Sequence, residues 1–239
     1  FVDVDDDHNQ QTPPQGAVGW SSDSKSVLLS DGWDIWQVPT DEKDTKGKAL
    51  VAVNLTQNGK KDKIRYDQRY QLDPEEKGID LKKPLYLHTY GEWTKKSGVA
   101  RLDIGKTITV KPLLWQDAAV GSLSKAKKAE TFVFAKETFT QPRQYFVTTS
   151  AELGGEKQLT KNAPLLEKFA WSAGTRLVDY VSDKGDTLQG ALFLPAGYEQ
   201  GKKYPTVVYY YEKLSQTLHN FANPAYSGTG WNPSIYTSN

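Results

Sequence analysis

Four aspartates and a histidine crowd the start of the chain: Asp3, Asp5, Asp6, Asp7 and His8. Closely spaced carboxylates are what a calcium loop uses, but an EF-hand also needs Gly at its sixth position and Glu at its twelfth. Counted from Asp3, those places hold His8 and Pro14, so a solvated acidic loop is the better reading. The three histidines, His8, His88 and His219, are scattered, none with another histidine at i+2 or i+4, which argues against zinc. His88 lies inside a β-rich run and reads as structural; His219 sits in a polar loop. With no Cys there are no disulfides, thiolate zinc sites or Cys nucleophiles. No phosphate-cradling glycine loop, dinucleotide motif or G-x-S-x-G elbow occurs. The 239 residues therefore hold no complete active site, and no cofactor or metal is expected.

Lys60-Lys61-Asp62-Lys63 and Lys125-Ala126-Lys127-Lys128 are basic but balanced by nearby acids, and read as solvated hairpin tips rather than phosphate grips. A net charge of +1 gives no footprint for nucleic acid or an anionic bilayer. No apolar run approaches the ~18 residues of a membrane span. Asn54-Leu55-Thr56 matches the glycosylation triplet, a common chance match. An aromatic content of 12% is too much apolar mass for a disordered coil.

The elements that would position any site are short. Residues 1–16 read as a linker, acidic and then Pro-rich. From Ala17 the chain breaks into β-rich pieces: Ser26–Leu29, Asp34–Val38, Leu50–Val53, Pro84–His88, Gly98–Leu102, Thr107–Val110, Thr131–Phe134 and Gln144–Val147. No 3.6-residue period survives three turns before residue 160. A loose repeat is centred near Leu29, Leu87 and Phe134, spaced 58 and 47 residues apart, against roughly 40–50 for four-stranded propeller blades. Its first copy, Gly19-Trp20-Ser21-Ser22-Asp23-Ser24-Lys25, offers a Ser and an Asp to satisfy turn amides. A β-sandwich spaces its strands similarly. The propeller reading predicts three four-stranded blades over 17–163, with Trp20, Trp36 and Trp93 buried or between sheets.

After Asn162 the texture changes. Leu177–Ser182 and Leu188–Pro195 flank Asp183-Lys184-Gly185-Asp186 and predict a hairpin. Lys202-Lys203-Tyr204-Pro205 then leads into Thr206-Val207-Val208-Tyr209-Tyr210-Tyr211, whose composition predicts a strand buried on both faces in an α/β sheet. Opening at Phe1 and closing on Ile235-Tyr236-Thr237-Ser238-Asn239, the chain reads as an internal piece of a longer protein.

The joined order of these features resembles the prolyl oligopeptidase family of serine peptidases, in particular bacterial members of dipeptidyl-peptidase-like or acylaminoacyl-peptidase-like type. The resembling strings are Phe1-Val2-Asp3 with Gly19-Trp20, Asp34-Ile35-Trp36, Val53-Asn54-Leu55-Thr56, Leu72-Asp73-Pro74-Glu75-Glu76-Lys77 and Tyr204-Pro205. The resemblance implies late propeller blades over 17–163 and the first part of an α/β-hydrolase domain over 164–239. It implies a parent enzyme that cleaves peptides with a Ser-Asp-His triad lying outside this chain, and an extracytoplasmic location. Tyr211 then matches the tyrosine whose hydroxyl completes the oxyanion hole. Glu75-Glu76 resembles the amine-binding Glu pair of dipeptidyl peptidases in composition, but its Asp-Pro turn suits an exposed loop. Where the family carries a Tyr-Gly-Gly-Pro-like loop, this chain has Tyr211-Glu212-Lys213-Leu214-Ser215-Gln216, without the glycines. The alternative is a non-catalytic propeller that binds peptides or glycans, with a degenerate hydrolase portion. Because the helices that would cover a truncated sheet are absent from such a fragment, apolar sheet surface near Val207 and Val208 is expected to be exposed and to favour self-association.

Overall fold

The computed structural model describes residues 1–3, 6, 8–211, 213–225, 228 and 230–238. Of the positions singled out in the sequence, Asp5, Asp7, Glu212 and Asn239 lie outside the described residues. The chain is mainly β, a partial propeller-like fold with no closed barrel. Three four-stranded antiparallel sheets follow one another, each made of strands consecutive in sequence. The first holds β1 (Ala17–Trp20), β2 (Ser26–Ser30), β3 (Ile35–Pro39) and β4 (Val53–Asn54). The second holds β5 (Ile64–Tyr70), β6 (Leu85–Gly91), β7 (Ser97–Ile104) and β8 (Ile108–Gln116). The third holds β9 (Ala119–Lys125), β10 (Phe132–Thr138), β11 (Gln141–Thr148) and β12 (Lys157–Gln158). Leu29, Leu87 and Phe134, the centres of the sequence repeat, each fall on the second strand of a sheet.

Two cores lie between the three sheets. Leu28, Ile35 and Leu55 of the first sheet's side meet Ile79, Leu85, Leu87 and Leu102. Tyr70, Tyr86, Val99 and Leu114 of the second meet Val120, Leu123, Phe132 and Phe134 of the third. On β6 the alternation is direct: Leu85 and Leu87 serve one core and Tyr86 the other. Burying a side chain of this size contributes about 1.5–3 kcal/mol. Polar stitches accompany the second core. The Tyr86 hydroxyl donates to the Ala151 carbonyl (2.9 Å). Ser97 Oγ donates to the Ala118 carbonyl and accepts the Val120 N–H, both at 2.7 Å.

The turn before β2 works as its residues suggest. Ser21 Oγ accepts the Ser26 N–H (3.0 Å) and reaches Asp23 Oδ1 (2.7 Å), which accepts the Lys25 N–H (3.1 Å). The glycosylation triplet is built into the first sheet instead of standing free. Ile35 N–H donates to Thr56 Oγ1 (3.0 Å), which in turn donates to the buried Asp34 (2.6 Å). At the N-terminus, Val2 bridges to Pro14 and Phe1 sits edge-on to Trp36 at 6.2 Å.

Several expectations are corrected. Trp20 and Trp93 are 57% and 42% exposed, not wedged between sheets, while Trp36 is half-buried. Trp20 ends the edge strand β1, and Trp93 occupies the β6–β7 turn, so neither side chain has a facing sheet. Of Leu50–Val53 only Val53 joins a strand; Leu50 and Val51 are exposed. Lys60–Asp62 belong to a four-residue helix, α1 (Gly59–Asp62), closed by Lys63 in the left-handed region (φ 58°), rather than to a hairpin tip. Lys125–Lys128 do run from the end of β9 into the β9–β10 turn, with Lys125 paired to Glu130 (3.0 Å).

The predicted hairpin is present as β13 (Gly174–Val181) and β14 (Thr187–Leu194), a separate two-stranded sheet. Gly185 supplies its turn's left-handed residue (φ 87°). Its base is fixed by an edge contact between Phe193 and Phe139 (4.7 Å) and by Ser172 Oγ donating to the Leu194 carbonyl (2.5 Å). A short helix, α2 (Pro233–Thr237), returns to this base, where Thr237 accepts the Ala196 N–H (2.7 Å). The buried strand expected at Thr206–Tyr211 is not formed. The segment is irregular, and Val208 and Tyr210 are 78% and 86% exposed. A strand buried on both faces needs ladder partners on both edges, and no described strand runs beside it.

Candidate functional site

Tyr211 is 69% exposed at the end of that irregular segment. Without a strand, the period-two relation expected between Tyr209 and Tyr211 has no backbone to enforce it. Tyr209 instead stacks on Trp231 at 4.6 Å, and Trp231 stacks on Tyr236 at 5.3 Å. The residues after β5 behave as a turn: Glu75 pairs with Lys127 (2.6 Å) and Glu76 with Arg69. Both carboxylates are thus held by bases of the protein itself.

The histidines are held apart. His88 on β6 contacts Asp67 on β5 through Nδ1 (2.7 Å), a cross-strand pair, and His8 contacts Asp6. His219 is half-buried, and burial keeps its imidazole below the usual pKa, against the opposing field of Asp117. Among the described residues no three His, Asp or Glu side chains come together as a metal site.

A polar cluster lies where the second sheet meets the hairpin. Arg65 on β5 donates through Nε to Glu92 (2.6 Å) and through Nη1 to the Gly32 carbonyl (3.1 Å). Its guanidinium lies 4.3 Å from the Trp33 ring centre, with the Lys63 ammonium 5.4 Å from the same ring. Lys95, buried in the β6–β7 turn with φ 59°, donates to the Glu92 carbonyl. Burial pulls its ammonium pKa down and Lys213 adds to that, while Glu92 and Asp179 oppose it. Burial and the Glu92 charge push the neighbouring Tyr90 phenol up. Gln189 on β14 closes the seam, donating to the Trp93 carbonyl (3.0 Å) and to Asp179 (2.8 Å).

This seam joins elements; it holds no Ser–His pair, and no hydrogen bond between a serine and a histidine occurs among the described residues. Sequence reasoning did not single out Arg65, Glu92, Lys95 or Gln189. Their partners lie as far as 96 residues away along the chain.

No family model matches the chain, and no curated protein matches it. Solved structures similar to it include a variant of AtxE2 isopeptidase with Astexin3-dC4 bound, at 14% identity and a TM-score of 0.43, covering 74% of this chain and 26% of that one. Another is a prolyl endopeptidase, at 16% identity and a TM-score of 0.35, covering 73% of this chain and 30% of that one. The chain thus spans less than a third of the length of either.

Proposed function

We propose that this chain is part of a serine peptidase of the prolyl oligopeptidase kind, with blades over 17–163 and the opening of an α/β-hydrolase domain over 164–239. The observation that carries the reading is the order of elements. Three consecutive up-and-down sheets stack through two cores, and a hairpin follows that is hooked to the second sheet through Gln189 and the Trp93 carbonyl. The sequence strings that resemble the family run through the same elements in the same order. In this reading the peptide is the substrate and the Ser-Asp-His triad is supplied by residues outside the 239. Tyr211 is the chain's own contribution to the chemistry. Acyl transfer builds negative charge on the former carbonyl oxygen, and a fixed hydroxyl donor stabilises it. In the assembled hydrolase sheet, strand partners would order Thr206–Tyr211 and aim that hydroxyl.

Two measurements test this. The 239-residue chain should not react with a fluorophosphonate serine probe, because it has no nucleophile elbow; labelling would sink the proposal. In a longer protein containing the chain and a triad, Tyr211→Phe should lower kcat by roughly 10²–10³-fold with little change in KM. Wild-type kcat in that variant, with loss in Tyr209→Phe or Tyr210→Phe, would remove Tyr211 from the role.

The loss of the glycines after Tyr211 favours a second reading, a propeller that binds peptides or glycans beside a degenerate hydrolase portion. A longer protein that binds peptide but never labels with the probe would select it.

A further inference from the structure

Each sheet has two edge strands, and among the described strands all of these edges but one are blunted. β4 and β12 are two residues long. β1 is broken by a register shift between Ala17 and Gly19, and β9 by one opposite Val133 and Ala135. β5 carries Arg65, Asp67 and Arg69, β8 carries Lys111 and Pro112, and β13 carries Arg176 and Asp179. Shortness, bulges, charges and proline are the devices that keep an edge from pairing with another chain. β14 has none of them. It reads Thr-Leu-Gln-Gly-Ala-Leu-Phe-Leu, eight residues in unbroken register with β13.

At the hairpin turn the Ser182 N–H donates to the Asp186 carbonyl (2.8 Å), which sets the phase of the ladder. Leu188, Gly190 and Leu192 turn their main-chain groups toward β13, and Thr187, Gln189, Ala191 and Phe193 turn theirs outward. Among the described residues, no backbone bond joins those four to a segment beyond the hairpin. A Cβ built on Gly190 would meet nothing within 4 Å, so the space over the middle of the strand is open. On that side Val178, Tyr180, Leu188 and Leu192 form one apolar face, each residue 39% to 51% exposed. The opposite face rests on the second and third sheets through Gln189 and Phe193.

We propose that β14 pairs antiparallel with β14 of a second copy about a two-fold axis at Gly190, joining two hairpins into one four-stranded sheet. What selects a second copy is that the strand is self-complementary about that residue. The register sets Gln189 against Ala191 and Thr187 against Phe193 of the other copy, so all four outward-facing residues gain hydrogen-bonding partners. It sets Leu188 against Leu192 on the exposed apolar face. Gly190 meets Gly190 on the axis, at a pair type where facing side chains stand closest. No charge lies within the pair, so like charges do not meet and nothing in it reads an acidic or basic partner. Arg176 and Asp179 move to the outer edges of the joined sheet, where they guard it. Such an isologous contact closes at two copies. A single strand pair is a small interface, so the dimer is a weak one. The contact uses only the hairpin and stands or falls separately from Tyr211 and the peptidase reading.

The test is sedimentation equilibrium of the 239-residue chain, followed by cross-linking. The wild-type chain should pass from monomer to dimer between about 10 μM and 1 mM. Gly190→Lys fits the open space of the monomer but sets two ammonium groups face to face on the axis, and should weaken the dimer about tenfold or more. A circular dichroism spectrum matching wild type would show that variant to be folded. The chain has no Cys, so a single introduced one reports on itself. Facing Cα atoms of such a pair lie about 4.5 Å apart, within the span of a disulfide. Gly190→Cys should therefore form a covalent dimer under mild oxidation at least tenfold faster than Val208→Cys, which samples the other exposed apolar stretch. If Gly190→Lys does not fold, the comparison of the two cysteine variants decides alone. A wild-type chain that stays monomeric at about 1 mM, an unchanged dimer in the folded Lys variant, or cross-linking of Val208→Cys as fast as that of Gly190→Cys would each overturn the proposal.

Discussion

β6 reads Leu-Tyr-Leu-His-Thr-Tyr-Gly and residues 206–211 read Thr-Val-Val-Tyr-Tyr-Tyr. Both are dense in branched and aromatic side chains, and the second is the stronger strand former on composition. β6 is nonetheless a central strand, with β5 and β7 on its edges and a core on each face. Residues 206–211 form no ladder at all. Strand propensity is a fit to a pleated, half-buried surface rather than a property of the backbone alone. Where neighbouring strands supply that surface the side chains go in; where none is present the same chemistry stays in water.

The contrast can be broken most sharply at Gly98 on β7. A Cβ there would lie 1.8 Å from the Leu114 carbonyl oxygen, a backbone atom of the paired strand that cannot swing aside. Gly98→Ala should therefore cost about 4 kcal/mol or more, read from urea unfolding. A cost below about 1 kcal/mol would mean the second sheet is no more tightly constrained than the C-terminal segment. A smaller loss is expected at Tyr86→Phe, which keeps the ring in the second core but strands the Ala151 carbonyl. About 1 kcal/mol should be lost by the same measurement; no loss would show that the carbonyl finds water instead. The smallest effect belongs to Tyr210→Ser, which should change stability by less than about 0.5 kcal/mol. In the same sample, amides of residues 206–211 should exchange rapidly while those of β6 approach the protection of global unfolding. Slow exchange at 206–211 would reveal ladder partners gained in solution, as expected if Val207 and Val208 mediate self-association.

The sheets were legible where apolar residues cluster. Leu28, Leu87 and Phe134 are fully buried and mark the second strand of each sheet. β5 escaped notice because Arg65, Asp67, Gln68 and Arg69 mask its alternation, and β12 because two residues carry no period. Trp20 and Trp93 misled for a different reason: a large aromatic beside a strand is buried only if another surface faces it, and that is decided by the fold. The candidate sites were the least legible. The Arg65–Glu92 seam is assembled from turns and strands distant in sequence, each residue unremarkable by itself. Tyr211 was found only through resemblance, since a tyrosine at the end of an apolar run carries no catalytic signal in its own sequence neighbourhood.

The alternation along β6 has a mechanical corollary. Among the described residues the first and third sheets share no core cluster, and each shares one with the second. Such a stack behaves as a one-dimensional chain with nearest-neighbour couplings. A flaw in an outer sheet weakens one coupling, whereas a flaw of equal size in the middle sheet weakens two. The three-layer stack should therefore fray from its flanks inward, with the middle layer the last to lose its structure and the point at which both flanks can be uncoupled at once.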